Sequence, residues 1–455
     1  GDQSEPGASY RAARIVFDSI IGPVDDQNLS AMLLVCSSAK PKSLWEEAVT
    51  LLHSSDIVWD AFGPGHISIR ALSYAVIACA KADQWEEALN LIELYGNPTL
   101  STENRYRPKR NQYEGIVSVA AVNCVIRACG RSSRPDIAVQ ILNEMQQKYG
   151  VSPDEMSYRL AIIACNQAEH RETRQKQYIQ LQDPPAPLDL TWWQCALSLL
   201  RRMTEDGLQP DAQTYSSVVS ACESAGQWQL AIGVLETVPS ISSLLSNSLP
   251  LEVMSNTMDG SYEEECDHPN LYCLNAAISA CQKGGAWVEA LSLYENIRSQ
   301  ALAKSSIRPN FITVNSLLIA LEEAGQVELA KTIYEDAVRD RIVSPWKRRL
   351  DNDGTVQKMM DLHQFSASMA SIAVRSYMES LLLKKTADIT SDSIFIVGKG
   401  KGSKNKGKPV LLPTVLELLQ SDFNVDPTID EQNYGRIRVS QDSIKKFIEC
   451  KRWKD

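Results

Sequence analysis

Histidine is scarce in this chain, five among 455 residues. No Cys-x-x-Cys and no Cys/His cluster of zinc-binding spacing occurs, so a structural zinc site is excluded as the organising feature. Also missing is any apolar run approaching the roughly 18 residues a membrane-spanning helix needs, and no membrane partner is expected. Positive charge is in deficit as well. The formal net charge is −10, which argues against a general polyanion binder. That deficit is uneven: from Arg341 onward 20 Lys and Arg meet 14 Asp and Glu, whereas the residues before it carry 26 against 42. A nucleic-acid contact in the first three-quarters must then come from a localised stripe. Nor is there a carboxylate cluster of the size that two-metal catalysis uses.

What the chain does have is a repeat. Residues 210–235 read as two short amphipathic helices, with Val218, Val219 and Cys222 on the first and Leu230, Ala231, Val234 and Leu235 on the second, joined at Gly226. The first-helix signature returns at Cys36, Cys79, Cys129, Cys165, Cys222 and Cys281, with Leu321 in the last copy. The second-helix signature places a small residue at Ala48, Ala88, Ala138, Ala196, Ala231, Ala290 and Ala330, where two helices can approach closely. The spacing predicts first helices over 28–37, 71–81, 121–130, 157–167, 214–223, 273–282 and 313–322. Self-similarity at roughly 35 residues predicts a stacked α-solenoid, because one hairpin can bury its apolar face only on a neighbour. Cysteines at equivalent first-helix positions read as small buried hydrophobes in a reducing compartment, not as disulfide partners.

The solenoid is expected to occupy residues 1–346, interrupted by loops near 96–117, 168–189 and 239–268 and a shorter one at 299–307. The first of these carries a basic-aromatic run over 104–113, read as a solvated surface loop; the third is Ser/Asn-rich and then acidic, a composition that predicts disorder. The chain opens without Met and in mid-repeat, since residues 13–20 match later second helices such as 290–297. It reads as a piece of a longer protein whose leader is not visible.

Several units close with Pro followed by an acid or amide: Pro153-Asp154, Pro210-Asp211, Pro269-Asn270 and Pro309-Asn310. Together with the Ala-Cys pair and the polar first-helix opening, these closures resemble the pentatricopeptide repeat (PPR) family, while the tetratricopeptide Trp-Leu-Gly-Tyr pattern is absent. The resemblance implies that each hairpin offers two side chains to one base of single-stranded RNA, about seven nucleotides in all. Carried over, the pairs are Ser73 with Ser118, Asn123 with Asp154, Arg159 with Asp211, Ser216 with Asn270, Asn275 with Asn310, and Asn315 with Trp346. Aspartate only accepts and suits the N3–H of uracil, whereas Asn also donates and suits cytosine or adenine. Asn123/Asp154 thus points to U, Ser216/Asn270 to A and Asn275/Asn310 to C; the other three pairs stay undefined. The competing interpretation is that such Asn and Ser residues merely cap helices. The resemblance also implies a plastid or mitochondrial setting and partners such as the ribosome or other RNA-processing proteins.

After Trp346 the period stops. Apolar residues 356–362 lead into Asp361-Leu362-His363; a helix with Met369, Ile372 and Leu381 follows, then a strand 393–397 and the run Gly398-Lys399-Gly400-Lys401. A helix 411–419 and short strands near 423–425 and 436–439 complete a small α/β domain over 355–442, with residues 443–455 an appended helix. The order, with Asp-Leu-His ending one strand and Gly-Lys-Gly-Lys the next, resembles the small MutS-related (Smr) domain. Gln364 and the longer lysine loop depart from that pattern. Members of that family include metal-dependent endonucleases. The resemblance implies Asp361 as ligand of Mg2+ or another divalent cation, His363 as general acid or base, and Gly398, Lys399, Gly400 and Lys401 as the phosphate cradle. A catalytically silent RNA stabiliser or translation factor, and a protein-binding scaffold suited to the acidic repeats, are the alternatives.

Overall fold

The computed structural model describes residues 25–39, 43–53, 59–60, 63–64, 67–96, 117–178, 191–238, 269–302, 307–350, 356–382, 391–398, 410–430 and 433–452, with a few isolated positions besides. The basic run 104–113, the segment 239–268 and Lys399, Gly400 and Lys401 lie outside the described residues. The chain divides into two compact units, Gly1–Ala225 and Gly226–Asp455.

The first unit is helical hairpins: α1 (Asp26–Ser38) with α2 (Trp45–His53), α3 (Ile69–Lys81) with α4 (Trp85–Gly96), α5 (Val119–Arg131) with α6 (Pro135–Lys148), and α7 (Glu155–Tyr178) with α8 (Trp192–Glu205), followed by α9 (Ala212–Ser224). First helices stack on one another in series, α1 on α3, α3 on α5, α5 on α7 and α7 on α9. The second unit opens with α10 (Trp228–Thr237), then α11 (Pro269–Lys283) with α12 (Trp287–Leu302) and α13 (Phe311–Glu323) with α14 (Val327–Arg339). Here α11 packs on α13 in the same manner. Each unit therefore contains the helical-repeat solenoid that the period predicts.

Local chemistry fixes where each hairpin starts and turns. Asp25, Ser68, Ser118, Asp154, Asp211 and Asn310 each accept a hydrogen bond from the backbone N–H three residues on, closing the N-terminus of a first helix. At the turn the chain enters the left-handed region at Asp83, Ser133, Gly285 and Gly325. The next N–H then reaches back to the carbonyl of Cys79, Cys129, Cys281 or Leu321 at 2.8–3.0 Å. In three hairpins the recurrent cysteine's carbonyl thus closes the turn, and in the last Leu321 takes that place. All six first-helix cysteines are fully buried, as are the seven second-helix alanines. Burial pushes the thiols of Cys36, Cys79, Cys129, Cys222 and Cys281 up to about 12.

One expected loop is not a loop. Helix α7 continues to Tyr178, through the first half of 168–189. No Gly or Pro interrupts the chain before Pro184, and the extra turns have partners. The carboxylate of Glu172 accepts from the Trp192 indole at 2.6 Å, Glu169 accepts from the Trp193 N–H, and Thr173 donates to the Ser224 carbonyl.

The second unit ends in an α/β module. Its strands β1 (Trp346–Leu350), β2 (Val356–Asp361), β3 (Ser393–Ile396), β4 (Pro427–Ile429) and β5 (Arg436–Val439) form one sheet in the order β1-β2-β3-β5-β4. Only β2 and β3 are parallel, joined across helix α15 (Ala367–Leu382), as a parallel crossover requires. Helices α16 (Leu411–Ser421) and α17 (Gln441–Arg452) complete it. The boundaries differ from expectation at both ends. Trp346 opens an edge strand paired with β2, its ring 5.2 Å from Tyr377. Residues 441–452 are no appendage: Ile444, Phe447 and Ile448 are buried, and Phe447 meets Phe423 edge-on at 5.7 Å. Phe423 and Val425 are buried loop residues, and the strand lies at 427–429 instead. Helix α15 seats the module on α13 and α14, where Glu379 pairs with Lys331 at 2.5 Å and Ser376 donates to Glu335 at 2.9 Å.

Candidate nucleic-acid interface

At successive joints of the repeats, a polar residue on the second turn of a first helix meets the residue that caps the next first helix. In the first unit Asn123 donates through Nδ2 to Asp154 Oδ1 at 3.0 Å. Ser157, fully buried, has one hydroxyl proton to give, with Asn123 Oδ1 at 2.6 Å and Asp154 Oδ1 at 2.8 Å both within reach. The second unit repeats this latch at the sixth joint. Asn275 Nδ2 donates to Asn310 Oδ1 at 3.3 Å, while the Thr313 hydroxyl has Asn275 Oδ1 at 2.6 Å and Asn310 Oδ1 at 2.9 Å within reach. Two other joints keep the contact with different chemistry. The Ser118 N–H donates to Ser73 Oγ at 2.8 Å, and the Arg159 guanidinium is ion-paired with Asp211 beside a cavity of about 460 Å³ lined in part by Asp154, Met156, Met203 and Gln209.

Four of the sequence-derived pairs are therefore in direct contact at one register. Asp154, Asp211 and Asn310 are helix caps, and each also touches the first-helix residue that the resemblance pairs with it. The hydroxyls of Ser157, Thr214 and Thr313 were not anticipated. Their signal was present, a Ser or Thr three residues after Asp154, Asp211 and Asn310, though Asn270 has Cys273 there, as in a capping box. Burial would raise the Asp154 carboxyl, but the donors Asn123 and Ser157 outweigh it and hold it below the usual carboxylate range. Asp211 is lowered likewise, against burial, by Thr214 and Arg159.

The remaining pairs differ. Ser216 is half-buried on α9, and the side chain of Asn270 lies outside the described residues. Asn315 keeps a buried Oδ1 with no hydrogen-bond partner, and Trp346 belongs to the sheet rather than capping a further helix. The seventh joint thus lacks the cap that Ser118, Asp154, Asp211 and Asn310 provide at the second, third, fourth and sixth.

In the α/β module, β2 ends at Asp361 and lies parallel to β3 in the register Asp361–Ile396. His363 and Gly398 follow side by side: a Cβ placed on Gly398, whose φ is +77°, would sit 3.5 Å from His363 Cβ. Asp361 is 7% exposed. Its Oδ1 accepts from His363 Nδ1 at 2.5 Å and from the His363 N–H at 3.2 Å, while Oδ2 is ion-paired with Lys347. Burial would raise this carboxyl too; Lys347 and His363 hold it below the ordinary range instead. Gly398 does not offer an open N–H to a phosphate, because that group donates to the Gly435 carbonyl at 3.2 Å. Among the described residues no three His, Cys, Asp or Glu side chains come together. One carboxylate, one imidazole and an ammonium are a poor donor set for a hard divalent cation, which favours several oxygen ligands.

Comparison with known proteins bears on the repeats. Residues 120–149, the α5–α6 hairpin, match the PPR repeat family model, and residues 198–239 match that of the pentatricopeptide repeat domain. The chain carries pentatricopeptide repeats. It is 23% identical over 256 residues to a chloroplastic pentatricopeptide repeat-containing protein of Arabidopsis thaliana, covering 52% of this chain and 23% of that protein. To a small ribosomal subunit protein of the same plant it is 21% identical over 335 residues, covering 73% of this chain and 67% of the relative. The chain spans about a quarter of the length of the chloroplastic relative. A maize pentatricopeptide repeat protein of known structure superposes with a TM-score of 0.45 at 18% identity, over 93% of this chain and 45% of that one. The same maize protein in complex with an 18-nt RNA element gives 0.32 at 12% identity, over 82% and 50%. No helix among the described residues is long and apolar enough to cross a membrane.

Proposed function

We propose that this protein binds single-stranded RNA sequence-selectively in a plastid or mitochondrion, one base per repeat joint, and that its Smr-like α/β module meets the phosphates of the adjoining nucleotides. The observation that carries the reading is the recurrent latch. At Asn123/Asp154 it consumes Asn123 Oδ1, one N–H of Nδ2 and Asp154 Oδ1. One N–H and Asp154 Oδ2 are left over, a donor beside an acceptor. That is the complement of a uracil edge, which offers a carbonyl and the N3–H. The latch also fixes both side chains before RNA arrives, so little rotamer entropy remains to be lost on binding. The chloroplastic and ribosomal descriptions of the relatives agree with work on organellar RNA.

Asp361 orients His363, whose ring is 43% exposed, so the module carries an acid–base candidate for phosphodiester cleavage. Labelled RNAs with U, A and C at the positions of the third, fifth and sixth hairpins test the whole reading. Tight binding with cleavage that Asp361→Ala abolishes supports it in full. Binding with equal product from wild type and Asp361→Ala discards the site, and binding without product leaves an RNA stabiliser or translation factor. If no RNA sequence binds, the protein-binding scaffold that the acidic repeats would suit takes its place.

A further inference from the structure

Lys347 lies on the edge strand β1, outside every motif that the sequence singled out. Antiparallel pairing with β2 in the register Lys347–Met359 carries it alongside Asp361. Its side chain is 60% exposed while that of Asp361 is 6% exposed. A buried carboxylate therefore sits under two side chains that face solvent, the Lys347 ammonium on Oδ2 and the His363 imidazole on Oδ1. A divalent ion entering here would have to displace the ammonium, and it would gain a single carboxylate in return.

We infer that Lys347 supplies the counter-charge which the Smr resemblance assigns to a divalent cation, and that Lys347 and His363 together form a metal-free contact for an RNA phosphodiester. The inference rests on the reading that the module meets RNA phosphates. Lys347 is a positioning residue for Asp361 and a direct electrostatic contact for the phosphate. An ammonium already paired on one side can still direct its other N–H bonds to a phosphate oxygen. A buried carboxylate stripped of that partner would be an exposed demand for another cation.

The full chain serves for the test, with RNA affinity measured in EDTA and in Mg2+, and Mn2+ uptake measured without RNA by calorimetry. Wild type should bind RNA about equally in EDTA and Mg2+ and take up no Mn2+ that depends on Asp361. Lys347→Met should weaken RNA binding about tenfold and gain Mn2+ binding on the freed carboxylate. Adding Asp361→Asn should abolish that gain, and this double variant also guards against misfolding, since no unpaired buried charge remains. Lys347→Arg should retain RNA affinity. Asp361-dependent Mn2+ binding by wild type, RNA binding that needs Mg2+, or a Lys347→Met protein unchanged in both assays would overturn the inference. A wild type that ignores RNA yet excludes Mn2+, with the gain intact in Lys347→Met, would overturn the RNA reading and leave the charge assignment standing.

Discussion

The hydroxyl that closes each latch has two jobs, and they can be separated. Thr313 is fully buried, and its one hydroxyl proton lies closest to Asn275 Oδ1, with Asn310 Oδ1 also in reach. Thr313→Val keeps the shape and leaves Asn275 Oδ1 buried without its donor, which should cost about 1–3 kcal/mol. The measurement is a shift of the urea midpoint at constant slope. On the proposed reading the same change should blur discrimination at the base assigned to this joint, because the Asn275 amide is no longer pinned. A variant that loses stability but keeps full selectivity would show the latch to be structural only. Acid tests the carboxylates. Asp154, Asp211 and Asp361 all have folded values below the unfolded one. Their stabilisation is complete above the unfolded carboxylate value near 4 and lost as pH falls through the folded values. Thermal midpoints should therefore drop below about pH 4, and Asp154→Asn with Asp211→Asn should make that drop shallower.

Helix-level packing gives a sharper steric test. Gly284 directly follows α11, and a Cβ there would lie 2.1 Å from Cδ1 of Trp228 at the start of α10. Gly284→Ala should destabilise by about 1–3 kcal/mol through that overlap, and Trp228→Leu in the same chain should recover most of the loss. Gly285, with φ +70° and nothing near its missing Cβ, should resist replacement for a backbone reason that no change at Trp228 relieves. Elements of this kind were legible because the repeat restates them: cysteine, alanine and closing Asp or Asn recur at one register, and first helices such as Val119–Arg131 and Phe311–Glu323 begin within two residues of where the period places them. What the sequence concealed depended on non-local partners. The strand Trp346–Leu350 reads Trp-Lys-Arg-Arg-Leu, a charged run without alternation, and becomes a strand only by pairing with β2. Lys347 reaches Asp361 through that pairing, so no linear spacing pointed to it. The long α7 was missed because its final turns are polar and their partners come from α8 and α9.

Across the whole molecule, charge and readout are distributed differently. The residues before Arg341 carry 42 acidic against 26 basic side chains, and basic residues predominate only after it. The joints that would read bases hold Asn, Ser and Asp, and the one guanidinium among them, Arg159, is ion-paired with Asp211. Selectivity and salt-sensitive affinity should then reside in different parts of the chain. Neutralising Lys399 and Lys401, as Lys399→Gln with Lys401→Gln, should flatten the slope of log affinity against log salt by about 1.4, two phosphate contacts at roughly 0.7 each for single-stranded RNA. The ranking of RNA sequences should stay the same. Asn123→Ala should do the reverse, levelling preference at one base by about 1–3 kcal/mol while leaving the slope untouched. Fluorescence anisotropy over a salt series on matched and mismatched RNAs reads both quantities at once. If removing the lysines alters sequence ranking, or removing the asparagine alters the slope, the division of labour between repeats and basic end is wrong. The bases would then be read where the charge is.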